Sequence, residues 1–295
     1  MELCNIPNDF DGQTYLALYP DLRAAGVNPV SHYLEYGRSE GRNYLWNHTP
    51  RFRHELLAKI WLYDSVLEIG PFDRPASPNY MNALAKVEYA DWMGTDDLMA
   101  RAATLPDRNP TGVPHISYVV TDSLSASIQR KYACVISSHM IEHVPDLVTH
   151  LQDIQSLLEP GGAYLFIAPD KRDCFDHCLP ESALPEVITA YLEKRTRPSL
   201  RSVIEHRAFT VPKYKLGADP VRHPSRDLWP IIRSAQREFQ ESTYVDVHCW
   251  YFTPESLSQI VNALIELGLI SHHWRIQTFQ LGGEIGGFFK LICDQ

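Results

Sequence analysis

The segment SSHMIEH at 137–143 places two histidines and a glutamate within five residues. His139, Glu142 and His143 are three and four positions apart, so they would share one face of a helix. An imidazole can accept a proton near neutral pH, and a neighbouring carboxylate can orient it. We therefore predict that His139 is a general base oriented by Glu142, with His143 beside them and His248 closing the site.

Two other interpretations of these residues stay open. Glu142 and His143 could form a structural pair at the edge of a ligand site. Histidine and glutamate at this spacing can also bind a metal, with His248 as a further ligand. Magnesium prefers oxygen ligands, so His139 makes the set a poor magnesium site, and a divalent metal is possible but not favoured. The segment CFDHC at 174–178 matches no strong zinc pattern.

Acidic residues end three successive apolar segments of the chain. Glu68 belongs to the first segment, Asp91 to the second and Asp122 to the third. Ligands of open α/β sheets bind beyond the carboxyl ends of the strands, where such residues would meet. A carboxylate after the second strand can accept hydrogen bonds from both hydroxyl groups of a ribose, which is the role we predict for Asp91.

The loop GPFDRP at 70–75 follows the first apolar segment. Gly70 lets the backbone approach a ligand closely. The G-x-G-x-x-G pattern that holds a pyrophosphate is missing, and Pro71 and Asp73 occupy positions after the single glycine. We predict a nucleoside ligand without phosphate groups, and the additional acid of the loop favours a positively charged or zwitterionic ligand.

These residues need a fold that brings strand ends to one edge. From residue 51 to Asp170, short apolar segments alternate with segments of helical periodicity. This pattern predicts an α/β fold with a Rossmann-like, doubly wound, mostly parallel sheet. Segments 272–282 and 286–295 predict a C-terminal antiparallel hairpin, and the helix before it should run from Thr253 to Gly268.

Three local predictions complete the alternation. Residues 79–85 are predicted to be helical, residues 115–123 to form the third strand, and the EPGG segment at 159–162 to form a turn. After Asp170 the alternation stops, and residues 171–247 are predicted to be an insertion that covers the substrate side of the site.

The chain is predicted to divide into a small helical module at 1–50 and a main domain at 51–295. Within the module, Asn28, Pro29 and Gly37 mark the beginning and the end of one of two short helices. Two such helices bury too little surface to be stable alone. We expect the module to dock on the main domain or on a partner.

Composition narrows the class of protein. The chain has 295 residues, of which 44% are hydrophobic and 21% charged. It contains no apolar run near the roughly 18 residues of a membrane span, and its first twenty residues do not resemble a secretory signal. Six irregularly spaced cysteines favour reduced thiols. We expect a cytoplasmic protein without a membrane span.

Charge gives a mixed prediction about partners. The net charge of −9 argues against bulk nucleic-acid binding, which requires a basic surface. Residues 194–237, however, contain eleven lysines and arginines against three acidic residues. This stretch could be a solvated surface, or it could attract an anionic acceptor.

Five quoted segments in the expected order resemble class I S-adenosylmethionine-dependent methyltransferases of the type associated with bacterial surface-glycan biosynthesis. The segments are VLEIGPFDRP, EYADW, VVTDSL, YACVISSHMIEHVPDLVTHLQDIQSLLEPGGAYLFIAPDKRDCFDH and HCWYFTPESL. The resemblance implies S-adenosylmethionine (SAM) as the cofactor. It also implies a cofactor site made of Glu68, Gly70, Pro71, Asp91, Trp92, Asp122 and Ser123, with Trp92 beside the adenine and Asp122 and Ser123 at its edge.

The acceptor is predicted from two further features. The segment FDGQTYLALYPDL…NPVSHYLEYGRSEGR resembles a short module of bacterial glycosyltransferases and other enzymes of surface-polysaccharide assembly, which implies a glycan-assembly partner for residues 1–50. A sugar hydroxyl of a surface polysaccharide or its precursor is therefore the predicted acceptor. Side chains after the fifth strand and in the insertion should bind it, namely Arg172, Asp176, His177, His206 and Trp250.

Two alternatives to this function stay open. The arrangement His139-x-x-Glu142-His143 with His248 resembles the Glu-x-x-Glu-His…His magnesium site of small-RNA 2′-O-methyltransferases, with a histidine in place of the first glutamate. The acidic chain disfavours an RNA acceptor. The protein could also be a non-catalytic, cofactor-binding scaffold of polysaccharide assembly.

Overall fold

The structure is a computed structural model that describes residues 6–7, 10–40, 42, 44, 53–82, 84–210 and 227–291. Within these residues one seven-stranded sheet has the strand order 3-2-1-4-5-7-6. The strands are β1 (Ser65–Ile69), β2 (Lys86–Asp91), β3 (Tyr118–Val119), β4 (Tyr132–Ser138), β5 (Leu158–Pro169), β6 (Trp274–Leu281) and β7 (Glu284–Leu291).

The sheet confirms the predicted fold class. Strands β1 to β5 are mutually parallel, and β7 runs antiparallel to both β5 and β6. The fold is therefore a Rossmann-like, mostly parallel sheet that ends in an antiparallel hairpin. The carboxyl ends of β1, β2 and β4 meet at one edge of the sheet. The sequence predicted the cofactor-binding and catalytic residues at this edge.

Helices surround this sheet. They are α1 (Gly12–Leu18), α2 (Pro20–Ala24), α3 (Pro29–His32), α4 (Arg53–Leu57), α5 (Thr95–Ala103), α6 (Leu124–Ser127), α7 (Leu147–Leu157), α8 (Leu184–Leu192), α9 (Leu200–Ile204), α10 (Trp229–Glu241) and α11 (Pro254–Glu266). The predicted start of α11 is correct, because Thr253 accepts a hydrogen bond from the Ser256 N–H. None of the helices in the described ranges combines the length and apolar composition needed to cross a membrane.

The core lies on both faces of the central strands. In β5, side chains from Ala163 to Ala168 are at most 2% exposed, as expected for a strand covered on both sides. Phe166 lies opposite Gly287 of β7. A Cβ atom at position 287 would lie 2.3 Å from the Phe166 ring, so the close packing of this pair requires glycine.

Three local predictions need correction. The helix predicted at 79–85 is a single turn at Pro78–Tyr80 followed by a loop. Asn82 ends it, because its side chain bonds to the Trp61 carbonyl and the Leu84 N–H instead of leaving the backbone free for a helix. The third strand contains only Tyr118 and Val119.

The turn predicted at 159–162 is a bulge inside β5. Tyr132 pairs with Leu158, and Cys134 pairs with Ala163, so four residues of β5 stand opposite one residue of β4. Gly161 adopts a left-handed conformation at φ +77°, which explains the glycine at this place.

The N-terminal helices pack around Tyr15 and Tyr33, which are both nearly fully buried. Asn28 begins α3 as predicted, since its side chain accepts the Ser31 N–H. Arg23 makes the contact with the main domain: its guanidinium lies 3.8 Å from the centre of the Trp61 ring and donates to the Asn79 carbonyl. The predicted boundary at residue 50 falls outside the described residues and stays a prediction.

The buried His150 of α7 should make stability depend on pH. It is 7% exposed, and burial lowers its pKa from 6.5 to about 4. Below about pH 6.5 the unfolded chain takes up a proton that the folded protein does not, so stability present above pH 6.5 is lost as the pH falls toward 4. This loss amounts to about 3 kcal/mol.

We expect His150→Leu to remove that part of the pH dependence. Urea unfolding of wild type and variant near neutral pH and near pH 4.5 would measure it. The difference in unfolding free energy between the two pH values should be smaller in the variant by about 2–3 kcal/mol. Equal differences in both proteins would show that His150 takes up its proton over the same pH range in the folded protein as in the unfolded chain.

Candidate active site

The loop after β1 lies against the 139–143 segment. Gly70 has φ +68°, and its N–H donates to the Ala90 carbonyl of β2 at 2.9 Å. A Cβ atom at this position would lie 3.2 Å from Cγ of Met140. Phe72 also adopts a left-handed conformation, at φ +44°, and Pro71 between them is buried. The predicted cofactor loop and the predicted catalytic segment are thus neighbours.

Glu68 organises this loop from within. It is 1% exposed, and its carboxylate accepts hydrogen bonds from the Ala76 N–H, the Ser77 N–H and the Ser77 hydroxyl at 2.6–3.0 Å. Burial raises the pKa of Glu68, and these donors act against that rise. The side chain thus fixes residues 76–77, and its contact with a ligand stays a prediction.

Asp73, the additional acid that was predicted to favour a positively charged ligand, is neutralised by groups of the protein itself. Its buried carboxylate accepts from Arg108 at 3.0 Å and from the Asn109 N–H at 2.8 Å. Burial would raise its pKa, but these two donors hold the pKa below its usual value. The charge of Asp73 is compensated within the protein and says nothing about the charge of a ligand.

Asp91 lies at the carboxyl end of β2 and is 5% exposed. Its Oδ1 accepts the Trp92 N–H at 2.8 Å. Burial raises the pKa of Asp91, while backbone N–H donors and the charge of Arg101 act in the opposite direction. The indole of Trp92 is 57% exposed and lies 5.3 Å from the Arg101 guanidinium. A buried acceptor therefore stands beside an exposed aromatic ring.

The third acidic position differs from the other two. Asp122 is exposed and follows the end of β3 by three residues. Ser123 is the N-cap of α6, because its hydroxyl accepts the Ala126 N–H at 3.1 Å. Ser123 thus has a structural role, and a contact of either residue with a ligand stays a prediction.

The 139–143 segment is not an α-helix, so the shared helical face predicted for its residues is wrong. His139 has φ +54°, and Ile141–His143 form a short 3₁₀ turn. The His139 N–H donates to the Ile167 carbonyl of β5, and the Glu142 carbonyl accepts the Cys249 N–H at 2.7 Å. These backbone contacts still bring the side chains of the segment together with those of residues 246–250.

Glu142 is the centre of a cluster that it forms with His139, His143 and His248. It is 1% exposed, and neither carboxylate oxygen has a hydrogen-bond partner among the described residues. Its Oε1 lies 3.6 Å from Nδ1 of His139 and 3.9 Å from Nε2 of His143. Burial would raise the pKa of Glu142, but the imidazoles of His139, His143 and His248 lower it. The carboxylate is therefore ionised in a buried position.

Two aspartates hold the histidines around Glu142. Nδ1 of His143 lies 2.9 Å from Asp246, and Nδ1 of His248 lies 2.5 Å from Asp176. The bond from His143 is the main reason why the pKa of Asp246 falls to about 2. One ligand-type atom from each of Glu142, His143 and His248 lies within 4.8 Å of the others.

His139 has a second carboxylate partner, Glu284 of β7. Its Nε2 lies 2.6 Å from Glu284, which also accepts from Arg53 at 2.8 Å. Burial would lower the pKa of His139, but Glu142 and Glu284 outweigh it and raise the pKa to about 9. A histidine that is protonated near neutral pH cannot accept a proton there, so this geometry does not fit the general-base role predicted for His139.

The predicted acceptor residues fall into two groups. Asp176 and His206 join the cluster: Asp176 binds His248, and the His206 ring lies 6.3 Å from the His248 ring. Burial lowers the pKa of His206 to about 4. His177 bonds to the Cys174 carbonyl, and Arg172 forms a fork with the buried Asp170. Their contact with an acceptor stays a prediction.

Trp250 was predicted to bind the acceptor, and the structure places its indole mainly in the core. It is 3% exposed, its Nε1 donates to the Val144 carbonyl at 2.6 Å, and its ring is stacked on Phe252. The indole is therefore part of the core below the site. Its neighbours in sequence, His248 and Cys249, are what face the cluster.

Several positive charges of the insertion at 171–247 are neutralised by nearby glutamates, which the count of charges in the sequence does not show. Arg195 pairs with Glu193, Arg201 with Glu205, and Arg207 with Glu238. Two of these partners lie just outside the 194–237 window. Lys213, Lys215, Arg222 and Arg226 lie outside the described residues. The described part of the insertion therefore gives little support to an anionic acceptor.

Sequence reasoning missed two residues of the cluster. Asp246 precedes His248 by two positions in VDVHCW, and alternating side chains of an extended segment could have signalled it. Glu284 comes from the C-terminal hairpin and is brought to His139 only by the pairing of β5 with β7. No local pattern marks it.

Comparison with known proteins places the chain in a family. Residues 40–264 match the profile of a family described as a methyltransferase domain. This match covers most of the chain, so the protein belongs to that methyltransferase family. None of the curated proteins matches the sequence significantly.

Three solved structures are among those with a similar fold. They are DhpI in complex with SAH (13% identity, 96% of this chain and 97% of that chain, TM-score 0.44), a SAM-dependent methyltransferase from Aquifex aeolicus (10%, 82% and 91%, 0.41) and an O-methyltransferase family protein from Burkholderia thailandensis (11%, 81% and 53%, 0.39). Likenesses at these scores carry no further conclusion about this chain.

Proposed function

We propose that the protein transfers the methyl group of SAM to a hydroxyl group of an acceptor, and that the acceptor is a sugar of a bacterial surface polysaccharide or its precursor. The family supports methyl transfer. The observation that carries the proposal is the buried carboxylate of Glu142. It is surrounded by imidazoles, and its segment lies against the Gly70 loop through Met140. A hydroxyl acceptor needs such a group, because it is a poor nucleophile until its proton is removed.

The residues at the ends of β1 and β2 fit SAM. Gly70 and Phe72 give the loop a left-handed course that opens its backbone to a ligand. Asp91 supplies a buried acceptor for the ribose hydroxyls, and the exposed indole of Trp92 can lie beside the adenine. The loop also lacks the glycine pattern that a pyrophosphate needs, and SAM has no phosphate group.

The donor site and the Glu142 cluster are connected through Arg101 of α5. Its guanidinium lies 5.3 Å from the Trp92 ring, and its Nη2 lies 3.2 Å from Asp246, the partner of His143. An acceptor over this junction would have its hydroxyl between the sulfonium methyl and the cluster. The oxygen–carbon bond then forms while the carbon–sulfur bond breaks, sulfur keeps the electron pair, and the Glu142 carboxylate accepts the hydroxyl proton.

The choice of a sugar rests on the likeness of residues 10–42 to a module of polysaccharide-assembly enzymes. The contacts of Arg23 with Trp61 and Asn79 attach these helices to the main domain. Side chains of these helices that are exposed, such as Asp21 and Ser31, can contact a glycan-assembly partner. The RNA alternative has less support, since three of the six described arginines in residues 194–237, Arg195, Arg201 and Arg207, are paired with glutamates.

A transfer assay with SAM tests the proposal. The purified chain is incubated with lipid-linked or nucleotide-linked sugars and with short RNAs, and the products are examined by mass spectrometry for the mass of one added CH₂ group. Methylated sugar supports the proposal. Methylated RNA, or SAM binding without turnover on any sugar, would favour the RNA enzyme or the scaffold instead.

Asp91→Ala should weaken SAM binding at least tenfold. Each hydrogen bond to a charged acceptor contributes about 1.5–3 kcal/mol, and a ribose diol forms two of them. Calorimetric titration of SAM into wild type and variant measures the change, with Asp96→Ala on the neighbouring helix as a control of equal charge. Unchanged affinity in Asp91→Ala would remove this residue from the site.

A further inference from the structure

We propose that Glu142, His143 and His248 bind one divalent transition-metal cation. One ligand-type atom from each of the three lies within 4.8 Å of the other two. Neighbouring ligands of a filled tetrahedral zinc site are about 3.3 Å apart, so small side-chain movements would close the group around an ion. Among the residues that the structure describes, this is the one such group of histidine, cysteine and carboxylate side chains.

The first argument is the state of Glu142. Its side chain is 2% exposed, and both oxygens lack a hydrogen-bond donor among the described residues. A buried carboxylate without partners is costly, because nothing replaces the water that it has lost. The nearest imidazole nitrogens stand at 3.6 and 3.9 Å, outside hydrogen-bonding distance. A cation among these groups would satisfy the carboxylate directly.

The second argument is the outer ring of acids. Asp246 engages Nδ1 of His143, and Asp176 engages Nδ1 of His248. The Nε2 atom of each ring is thus left for the inner side, where the two rings meet edge to face at 4.7 Å. Metal-binding histidines typically have the other ring nitrogen held by a carboxylate, which fixes the tautomer and the ring orientation. His248 shows this arrangement as a hydrogen bond, and His143 shows it as a 2.9 Å ion-pair contact with Asp246.

The donor set indicates the kind of ion. Two imidazoles and one carboxylate suit zinc, cobalt, iron or nickel, while magnesium requires more oxygen ligands than this group offers. Three protein ligands also leave at least one coordination position open. His139, whose imidazole is bonded to Glu284 at 2.6 Å, stays outside the set.

This site would give the cluster its role in the reaction, a step that rests on the proposed function. A hydroxyl that occupies the open position of such a cation has a much lower pKa than a free hydroxyl. With Glu142 occupied as a ligand, the hydroxyl proton would pass to water while the oxygen forms its bond to the methyl carbon. A cation at this site would account for deprotonation of the acceptor without His139 as the base.

Metal binding to the full chain tests the site without any methyl donor. The protein is stripped with a chelator and titrated by calorimetry with Zn²⁺, Co²⁺ and Mg²⁺. We expect one equivalent of Zn²⁺ or Co²⁺ to bind, with Mg²⁺ much weaker. His248→Ala and Glu142→Gln should each weaken Zn²⁺ binding by at least about 100-fold, and Asp176→Asn by about 10–100-fold.

The matched control is His206→Gln, which removes a neighbouring half-buried histidine that is not in the group and should leave Zn²⁺ affinity unchanged. Circular dichroism checks that each variant is folded, and His143→Gln replaces His248→Ala or Glu142→Gln if either is unfolded. The absence of Zn²⁺ and Co²⁺ binding to wild type would overturn the proposal. So would equal affinity in His248→Ala, or a thiolate charge-transfer band in the cobalt spectrum. SAM binding is measured separately. SAM binding without Zn²⁺ binding would overturn the metal site alone, and the absence of SAM binding would overturn the proposed function.

Discussion

Glu142→Gln is expected to lower turnover by roughly 10²–10⁴-fold, the contribution of a well-placed proton-transfer site. Glutamine keeps the shape of the side chain but removes the charge around which His139, His143 and His248 are arranged. Without this charge the cluster loses both its attraction for a cation and its means of removing the acceptor proton. Single-turnover rates at saturating SAM and acceptor would measure the loss.

SAM affinity should stay near the wild-type value in this variant. Asp91, Gly70 and the Trp92 ring belong to β1, β2 and the loops after them, and none of them contacts the Glu142 carboxylate in the structure. A parallel fall in SAM affinity and turnover would therefore indicate general damage to the fold. Calorimetry on the same preparation separates the two results.

Glu284→Gln is the matched control, since Glu284 is a carboxylate that contacts the same His139 at 2.6 Å but is not part of the Glu142, His143, His248 group. We expect a much smaller loss of turnover in this variant. If Glu284→Gln were as damaging as Glu142→Gln, the pair His139–Glu284 would be the chemical centre. Near-normal turnover in Glu142→Gln would exclude the cluster from the reaction.

The fold could be predicted from sequence because its signals are local. Apolar runs such as VLEI and AYLFIAP read as buried strands, and cap residues such as Asn28 and Thr253 mark helix starts correctly. The prediction failed where one side chain competes with the helix, as Asn82 does by bonding to the Trp61 and Leu84 backbones.

The site could be predicted only in part, because its chemistry depends on contacts across the chain. His139, Glu142 and His143 were identified from their spacing, although the helix assumed for them does not exist. The partners that decide their protonation, Asp246 and Glu284, lie more than a hundred residues away in sequence. The pKa of His139, and with it the case against a general base, could not be derived without them.

The burial of the side chains in the segment 248–252 could not be predicted from the sequence either. Its side chains divide between the cluster and the core, but the sequence HCWYF contains no pattern that would show which side chains are buried in the core. His248 is held by Asp176 in the cluster, whereas Trp250 packs on Phe252 in the core. An aromatic residue next to a candidate catalytic histidine is thus no evidence for sugar stacking.

Trp250→Ala is accordingly expected to destabilise the protein by about 3–5 kcal/mol, the usual cost of removing a buried tryptophan. The substitution leaves a cavity beside Phe252, and it leaves the Val144 carbonyl without the indole N–H that now donates to it at 2.6 Å. Chemical denaturation at neutral pH would measure the change. Trp229→Ala is the control, because Trp229 is 66% exposed on α10 and its removal should change stability by no more than about 0.5 kcal/mol.

Trp250→Phe separates the core role from acceptor binding. Phenylalanine keeps most of the buried ring and loses the hydrogen bond to the Val144 carbonyl, so a smaller destabilisation of about 1–3 kcal/mol is expected. Because the indole is 3% exposed and faces the core, KM for the acceptor should be unchanged in this variant. A large rise in KM with stability unaltered would return Trp250 to the acceptor site and would require the 248–252 segment to turn over when the acceptor binds.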